Sequence, residues 1–346
     1  MTSGGYKMKF KKLKLALAMS LSIMSLTATS IKAEELIVGS FLPGPHHLHT
    51  RVFEWFNEQI KEKSSGDLST VLFPGGQLGA GPVQQYKRAL ENVADLTLGV
   101  SAYTPTIFPR SMLAILPGKS ETAVDSTNRI WDAYDEHLSQ EYKDVKLIGL
   151  FTVAGNVLAA TRDVSTLEGL AGAKIVPYAA MTKPLIEAAG AVPVQMPITE
   201  VYTGLSTGTI DAAYVSISNM SPPWNFWDVT THMVEGSPVN FAVLFVVMNK
   251  ERYEGLSDEH RAIVDSVAGR PFSLKAAESF DLADELALKA MAENPERMKR
   301  VNRINVTAEN RAAMDEANLK GLDILFKDYK DRGIDNAQEI YEALNK

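Results

Sequence analysis

The sequence predicts an α/β fold in two lobes with a cleft between them. Three observations carry that reading. A β-α-β-α-β rhythm, the mark of a parallel sheet with helices on its faces, runs through residues 36–100. The same rhythm returns between residues 146 and 216. Apolar strands near 146–161 and 239–248 read as crossovers between the two units. The chain has 346 residues, enough for roughly two domains.

Ahead of the first unit, Lys7, Lys9, Lys11, Lys12 and Lys14 form a basic segment. Residues 15–26 follow as an apolar stretch too short to span a bilayer, and Ala33 stands as a small residue before Glu34. This order predicts a secretory signal peptide over residues 1–33, in preference to an uncleaved membrane anchor. The first unit opens with an apolar strand over 36–41, broken by Pro43, Gly44 and Pro45. Val52, Phe53, Phe56 and Ile60 give residues 49–63 a helical period. A turn at 64–67 leads to a strand over 68–73. Residues 82–93 read as a helix with Pro82 at its start, where a missing N–H costs nothing. The third strand spans 95–100.

In the second unit the predicted strands are 146–153, 157–161, 173–176, 192–196 and 211–216. A short helical turn is expected at 167–171, and a helix at 182–189 closed by Gly190. Thr199 is the predicted N-cap of a helix over 200–207, with Gly208 as its stop. Residues 258–294 read as helical, with a break at Gly269, Arg270 and Pro271. A short strand at 304–306 and helices at 307–331 and 335–345 end the chain.

Apolar residues make up 45% of the sequence, ordinary for a globular protein. Removing residues 1–33 takes away six lysines and no acid, leaving 29 basic residues against 42 acidic and a net charge of −13. An acidic exported chain is a poor partner for nucleic acid or an anionic membrane. There is no cysteine, so thiol chemistry and cysteine metal sites are excluded, and the core alone must hold the fold.

The glycine-rich GGQLGAG at 75–81 lacks the Lys-Ser/Thr of a phosphate loop and reads as a turn. HHLH at 46–49, even with Glu54, is too sparse for a metal site. His46 or His47 donating a hydrogen bond to a cleft ligand is the preferred reading. Ser216 and Ser218 lack the Gly-x-Ser-x-Gly setting of a nucleophile, and no paired-carboxylate motif stands out. Asp211 is expected to bond turn amides and Glu200 to favour a helix dipole. Among Trp224, Phe226 and Trp227, core and ligand-wall roles are equally open.

Several stretches, in order, resemble one family. They are GGQLGAGPVQQYKRALENVADLTLGVSAYTPTIFP, LEGLAGAKIVP, AAGAVPVQMPITEVYTGLSTGTIDAA and FVVMNKERYEGLSDEHRAIVDSVAG. Together they are similar to the extracytoplasmic solute receptors of TRAP transporters, the tripartite ATP-independent periplasmic, DctP-type family. The match runs from about residue 36 to 270. The resemblance implies a periplasmic-binding-protein fold with a long helix across both lobes, closing on a small organic solute for delivery to membrane subunits. The family's usual anchor is the arginine of Lys-Ile-Arg-x-Pro, a bidentate carboxylate clamp. Here that position is Val176.

The departure shapes the expected ligand. A carboxylate enclosed without a fixed cation keeps a desolvation cost of roughly several kcal/mol. Either another base substitutes, with Arg162 and Lys183 as candidates, or the ligand is a small amine, amino alcohol or neutral polar solute. The second is favoured, with Tyr178, Tyr214, Trp224 and Trp227 as an aromatic wall and Asp228 or Glu200 as counter-charge. The expected contacts are His46, His47, Tyr103, Asn156, Val176, Tyr178, Tyr214, Asn219 and Trp224. The expected division is residues 34–153 and 241–275 as lobe I, 154–240 and 296–346 as lobe II, and 276–295 as the helix that spans them. The protein is expected to be a monomeric, non-enzymatic periplasmic receptor without cofactor or metal. A ligand-binding partner of a sensor and a secreted enzyme are the rival classes.

Overall fold

The computed structural model describes residue 1, residues 33–153, 156–238 and 242–345. The expected signal peptide lies almost wholly outside them. In chain order the strands are β1 (Glu34–Gly39), β2 (Leu68–Phe73), β3 (Leu96–Val100), β4 (Val145–Thr152), β5 (Asn156–Ala160), β6 (Lys174–Val176), β7 (Val192–Pro193), β8 (Ala212–Ser216), β9 (His232–Glu235), β10 (Val243–Asn249) and β11 (Asn302–Asn305). They form two sheets, one ordered β2-β1-β3-β10-β4 and the other β11-β9-β5-β8-β6-β7. The chain passes from the first sheet to the second between β4 and β5, and returns between β9 and β10. These are the two crossovers expected from the sequence.

Neither sheet is purely parallel. β1 runs parallel to β2 and β3, but β10 is antiparallel to both β3 and β4. In the second sheet β5 is antiparallel to β8 and β9. The reason is topological: a strand entering from the other sheet arrives without a covering helix, so nothing forces it to run parallel. β10, VLFVVMN, is buried at every residue, as an unbroken apolar run in a central strand should be. Gly99 on β3 makes room for it, since a Cβ there would lie 2.2 Å from Phe245.

Several expectations need correction. The strand expected over 192–196 is cut short to Val192–Pro193, although Val192 and Val194 N–H still donate to Ala173 O and Ile175 O on either side of Pro193. The helix after it is Ile198–Ser206, capped by Pro197 and not by Thr199; Gly208 does take the left-handed φ of +69° past its end. The helix Ala123–Ala133 was not foreseen, because its inner face is built partly of Ser126 and Thr127 rather than of large apolar residues. Thr122 caps it by accepting from Asp125 N–H at 3.0 Å.

The break at Gly269 separates helix Asp258–Val267 from the long helix Arg270–Glu293, with Pro271 in its first turn. The long helix touches both halves. Phe272 lies on Gly149 of β4, where a Cβ would come within 2.4 Å of the ring, and Ser273 Oγ accepts from Leu150 N–H at 2.8 Å. Asp281 accepts from Ala123 and Val124 N–H, at the start of a helix packed on the first sheet. One turn on, Asp284 accepts from Ser216 Oγ at 2.9 Å and Ser218 N–H at 2.8 Å, at the end of β8 in the second sheet. Among the described residues no helix is long and apolar enough to cross a membrane.

Candidate functional site

The ends of β1, β3, β6 and β8 converge on one cavity between the two sheets, of about 800 Å³ counting its mouth. Ligands of open α/β sheets sit at this end of parallel strands, because the loops there are free of the ladder. Phe41 and Leu42 follow β1, Ala102 and Tyr103 follow β3, and Pro177 and Tyr178 follow β6. Ser216 ends β8, Asn219 and Trp224 come from the turn beyond it, and Phe280 reaches in from the long helix. Among the described residues none lining this cavity carries a carboxylate, an amine or a guanidinium.

Of the nine residues expected from the sequence, His46, Tyr103, Val176, Tyr178, Tyr214, Asn219 and Trp224 line the cavity. His47 lines a space beside it of about 680 Å³, which shares His46, Asn219 and Trp224 with the cavity. Asn156 opens β5 opposite Ser216 and is not among the lining residues. Val176 occupies the clamp position with its side chain on the wall.

The other expected participants lie elsewhere. Trp227 packs in the second sheet's core under the Arg297 guanidinium, 4.8 Å from its ring, and Asp228 pairs with the same Arg297 at 3.5 Å. Phe226 is fully buried in that core. Glu200 is exposed in the first turn of its helix and does not line the cavity. Arg162 is exposed, and Lys183 pairs on the surface with Glu187. Neither base stands in for the missing arginine. Asp211 accepts from Lys174 N–H at 2.7 Å, tying β8 to the start of β6. In the glycine-rich loop the Arg88 guanidinium donates to the carbonyls of Ala80 and Gly81, which makes the loop a folded turn.

Sequence reasoning missed Phe41, Gln195, Met196 and Phe280 on the wall, and Arg51 beside it. Phe41 was legible as the residue just past a strand. Phe280 was not, since a helix of 24 residues carries apolar side chains on more than one face.

Burial, reinforced by His47 and His49, holds the His46 imidazole well below the usual histidine range. Burial and the nearby Arg51 push His47 down to about 3. Both are therefore neutral at pH 7. The two rings stack at 4.3 Å, and Phe280 meets His47 edge-on at 4.6 Å. His49 Nδ1 donates to Gly44 O at 3.1 Å and its Nε2 lies 2.8 Å from Ser40 Oγ, so both its nitrogens are engaged. Among the described residues, only Glu136, His137 and Glu339 bring ligand atoms close enough to share a metal, and none of them lines the cavity.

The groups around the two spaces that are buried without a hydrogen-bond partner among the described residues include Tyr178 Oη, Trp224 Nε1, His47 Nε2 and Arg51 Nη1, together with Ser101 Oγ and, behind Ser216 and Ser218, Asp284 Oδ2. Indole and guanidinium nitrogens only donate. Tyr178 keeps its proton, because burial and the nearby Asp284 push its phenol well above the usual range. Tyr214 is different, with its hydroxyl 2.9 Å from Ser237 Oγ, so it offers the cavity ring surface, 6.1 Å from the Tyr178 ring.

The model of the bacterial extracellular solute-binding protein family 7, DctP, matches residues 38–328. An ectoine/5-hydroxyectoine-binding periplasmic protein of Ruegeria pomeroyi is 26% identical over 273 residues, covering 76% of each chain. A 2,3-diketo-L-gulonate-binding periplasmic protein of Escherichia coli is 28% identical over 216 residues, covering 61% of this chain and 65% of that one. A solved structure of a marine metagenome TRAP solute-binding protein specific for aromatic acid ligands is 25% identical, with a TM-score of 0.83 over 90% of this chain and 97% of the other. The family is one of solute-binding proteins and not of enzymes. The match over most of the chain, on a fold of two sheets with a cavity at their strand ends, means that this protein belongs to the DctP family of TRAP-transporter solute-binding proteins.

Proposed function

We propose that this protein is a periplasmic receptor that closes its two lobes on a small ring-bearing solute and delivers it to TRAP membrane subunits, without catalysis. The division into lobes 34–153 with 241–275 and 154–240 with 296–346, joined by helix 276–295, belongs to this reading. One observation carries the ligand class. The cavity is walled by Phe41, Tyr103, Tyr178, Tyr214, Trp224 and Phe280, and among the buried groups left without partners around it Tyr178 Oη and Trp224 Nε1 are donors, with Asp284 Oδ2 set behind Ser216. Aromatic walls favour a flat ring, and unmet donors favour oxygen acceptors on it. The aromatic acid ligands of the metagenome relative point the same way.

A small amine fits less well. It would bring more donors to a wall already rich in them, and no carboxylate lines the cavity to meet its charge. The contact set proposed is His46, His47, Tyr103, Val176, Tyr178, Tyr214, Asn219 and Trp224, with Asn156 at its edge.

Thermal-shift and calorimetric screening of aromatic acids, aromatic amides, amines and sugars tests the class. Ring compounds with acceptor oxygens should bind, and Tyr178→Ala and Trp224→Ala should each weaken them by about tenfold or more. Binding confined to amines or sugars would overturn the reading. So would aromatic binding that both variants leave intact. Adjacent genes for a small and a large membrane subunit would support transport over sensing, and turnover of a bound ligand would support an enzyme.

A further inference from the structure

We propose that Arg51 supplies the anion-binding group that the Val176 position lacks, so that the solute is a ring-bearing carboxylate held with its charge in the space beside the main cavity. This inference rests on the ring-bearing reading above and names its charge. Arg51 lies one turn past the His46–His47 pair, in the π-helical stretch His49–Phe53 that leads into helix Glu54–Lys63. It lines the adjoining space, where it is the only charged residue among those described.

Among the described residues its guanidinium makes no ion pair and no hydrogen bond, and its Nη1 is shut off from solvent. Arg162 and Arg300 also have no bonded partner, but they are exposed to water. A guanidinium is a permanent cation, and a buried one is costly until it meets an anion. Among the described residues no Asp or Glu lines either space; Asp284 stands behind Ser216 and Ser218, accepts from both, and forms no ion pair with Arg51.

The surroundings suit a carboxylate. His46, Asn219 and Trp224 belong to both spaces, so an anion on Arg51 remains in line with a ring in the apolar cavity. Trp224 Nε1 is an unmet donor on that shared boundary. His47 Nδ1 lies 2.8 Å from Ser279 Oγ; with the serine donating, the ring proton sits on Nε2, which has no other partner and faces the same need. The cation has moved from a strand end in one half of the fold to a helix in the other. The loss of the clamp at Val176 therefore does not require loss of the charge.

Calorimetry on the intact mature protein distinguishes the possibilities, with benzoate, phenylacetate and a short aliphatic acid as acids, benzamide as the neutral isostere and benzylamine as the cation. Arg51→Gln should weaken the acids by about 10- to 100-fold, leave benzamide within about twofold, and melt like the parent without ligand. Arg51→Lys should fall between, keeping charge without the planar fork. Acids that bind the parent and Arg51→Gln alike would overturn the assignment of Arg51 while sparing the ring. Binding of benzamide or benzylamine with no acid bound would overturn it too. Aliphatic acids that need Arg51, with no aromatic compound bound, would keep the arginine and sink the ring. Binding of none of the probes would remove both.

Discussion

Asp284 shows how one residue sets a condition on the whole protein. It is 6% exposed, and burial, opposed by its bonds to Ser218 and Ser216, pushes its carboxyl up to about 7. Its Oδ2 has no partner among the described residues. A folded-state value raised above the unfolded one means that the folded form holds the proton more tightly. The stability this provides is complete below about pH 4 and is lost as pH rises through 7. The buried histidines act in the opposite sense. With folded values below the usual 6.5, His46 and His47 contribute stability above that pH and lose it as pH falls below it, His47 through about 3. Glu141, also pushed up to about 7 by burial, adds to the loss on the alkaline side. Asp284→Asn removes one group and keeps an oxygen to accept from the serines. Between about pH 4 and 7 the parent should lose stability relative to the variant, the difference in melting or denaturation curves reaching a few kcal/mol at pH 7 and staying level above it. Parallel curves would refute the assigned protonation. The sequence marked neither Asp284 nor its serines as a unit, because they are 66 to 68 residues apart.

At the scale of the element, the long helix Arg270–Glu293 decides the arrangement of the halves. Two of its acids, Asp281 and Asp284, stand three residues apart; the first bonds to the start of helix Ala123–Ala133 on the first sheet, the second to the end of β8 in the second. Its first turns rest on β4 through Phe272 over Gly149. A methyl group at residue 149 would press into that ring at 2.4 Å, and the ring is itself fully buried among Phe53, Phe56 and Phe151. Gly149→Ala should therefore cost about 1–3 kcal/mol in chemical denaturation, from overpacking rather than from backbone strain. A neutral result would mean that the helix can slide on β4. The helix itself was legible in the sequence, from its length and from the Gly269–Pro271 break. Its role was not, since a helical period says which residues are buried but not against which neighbour.

For the molecule as a whole, the hydrogen bond between Tyr103 and Ile198 matters most. Tyr103 comes from the end of β3 in the first sheet, and its hydroxyl accepts from the Ile198 N–H at 2.9 Å, the free start of a helix in the second half. Burial pushes the phenol up to about 12, so it stays uncharged. On the proposed closure of the two lobes, that N–H would turn to water when they part, so the bond would count toward the closed form. Tyr103→Phe should lower ligand affinity by about tenfold with little change in the unliganded melting temperature. Calorimetry and thermal shift on the same preparation check both halves of that statement. Equal affinity in parent and variant would show that the bond does not report closure.

The sequence alone determined the α/β class, the two units, the crossovers between them and the long helix, because each rests on local periodicity and on glycine or proline punctuation. It also placed seven of the nine expected contacts on the cavity wall, because strand ends can be read from where an apolar run stops. The ordered motifs carried the family. Only the tertiary structure decided the rest. Trp224 faces the cavity while Phe226 and Trp227 turn into the core, a choice made by a turn whose direction no period encodes. Asp228 is consumed by Arg297, and Lys183 by Glu187, pairings set by distance in space. Arg51 gives no signal in a helical sequence, where a charged residue is usually solvated. What singles it out is being half-buried without a bonded partner among the described residues, in a space that adjoins the main cavity.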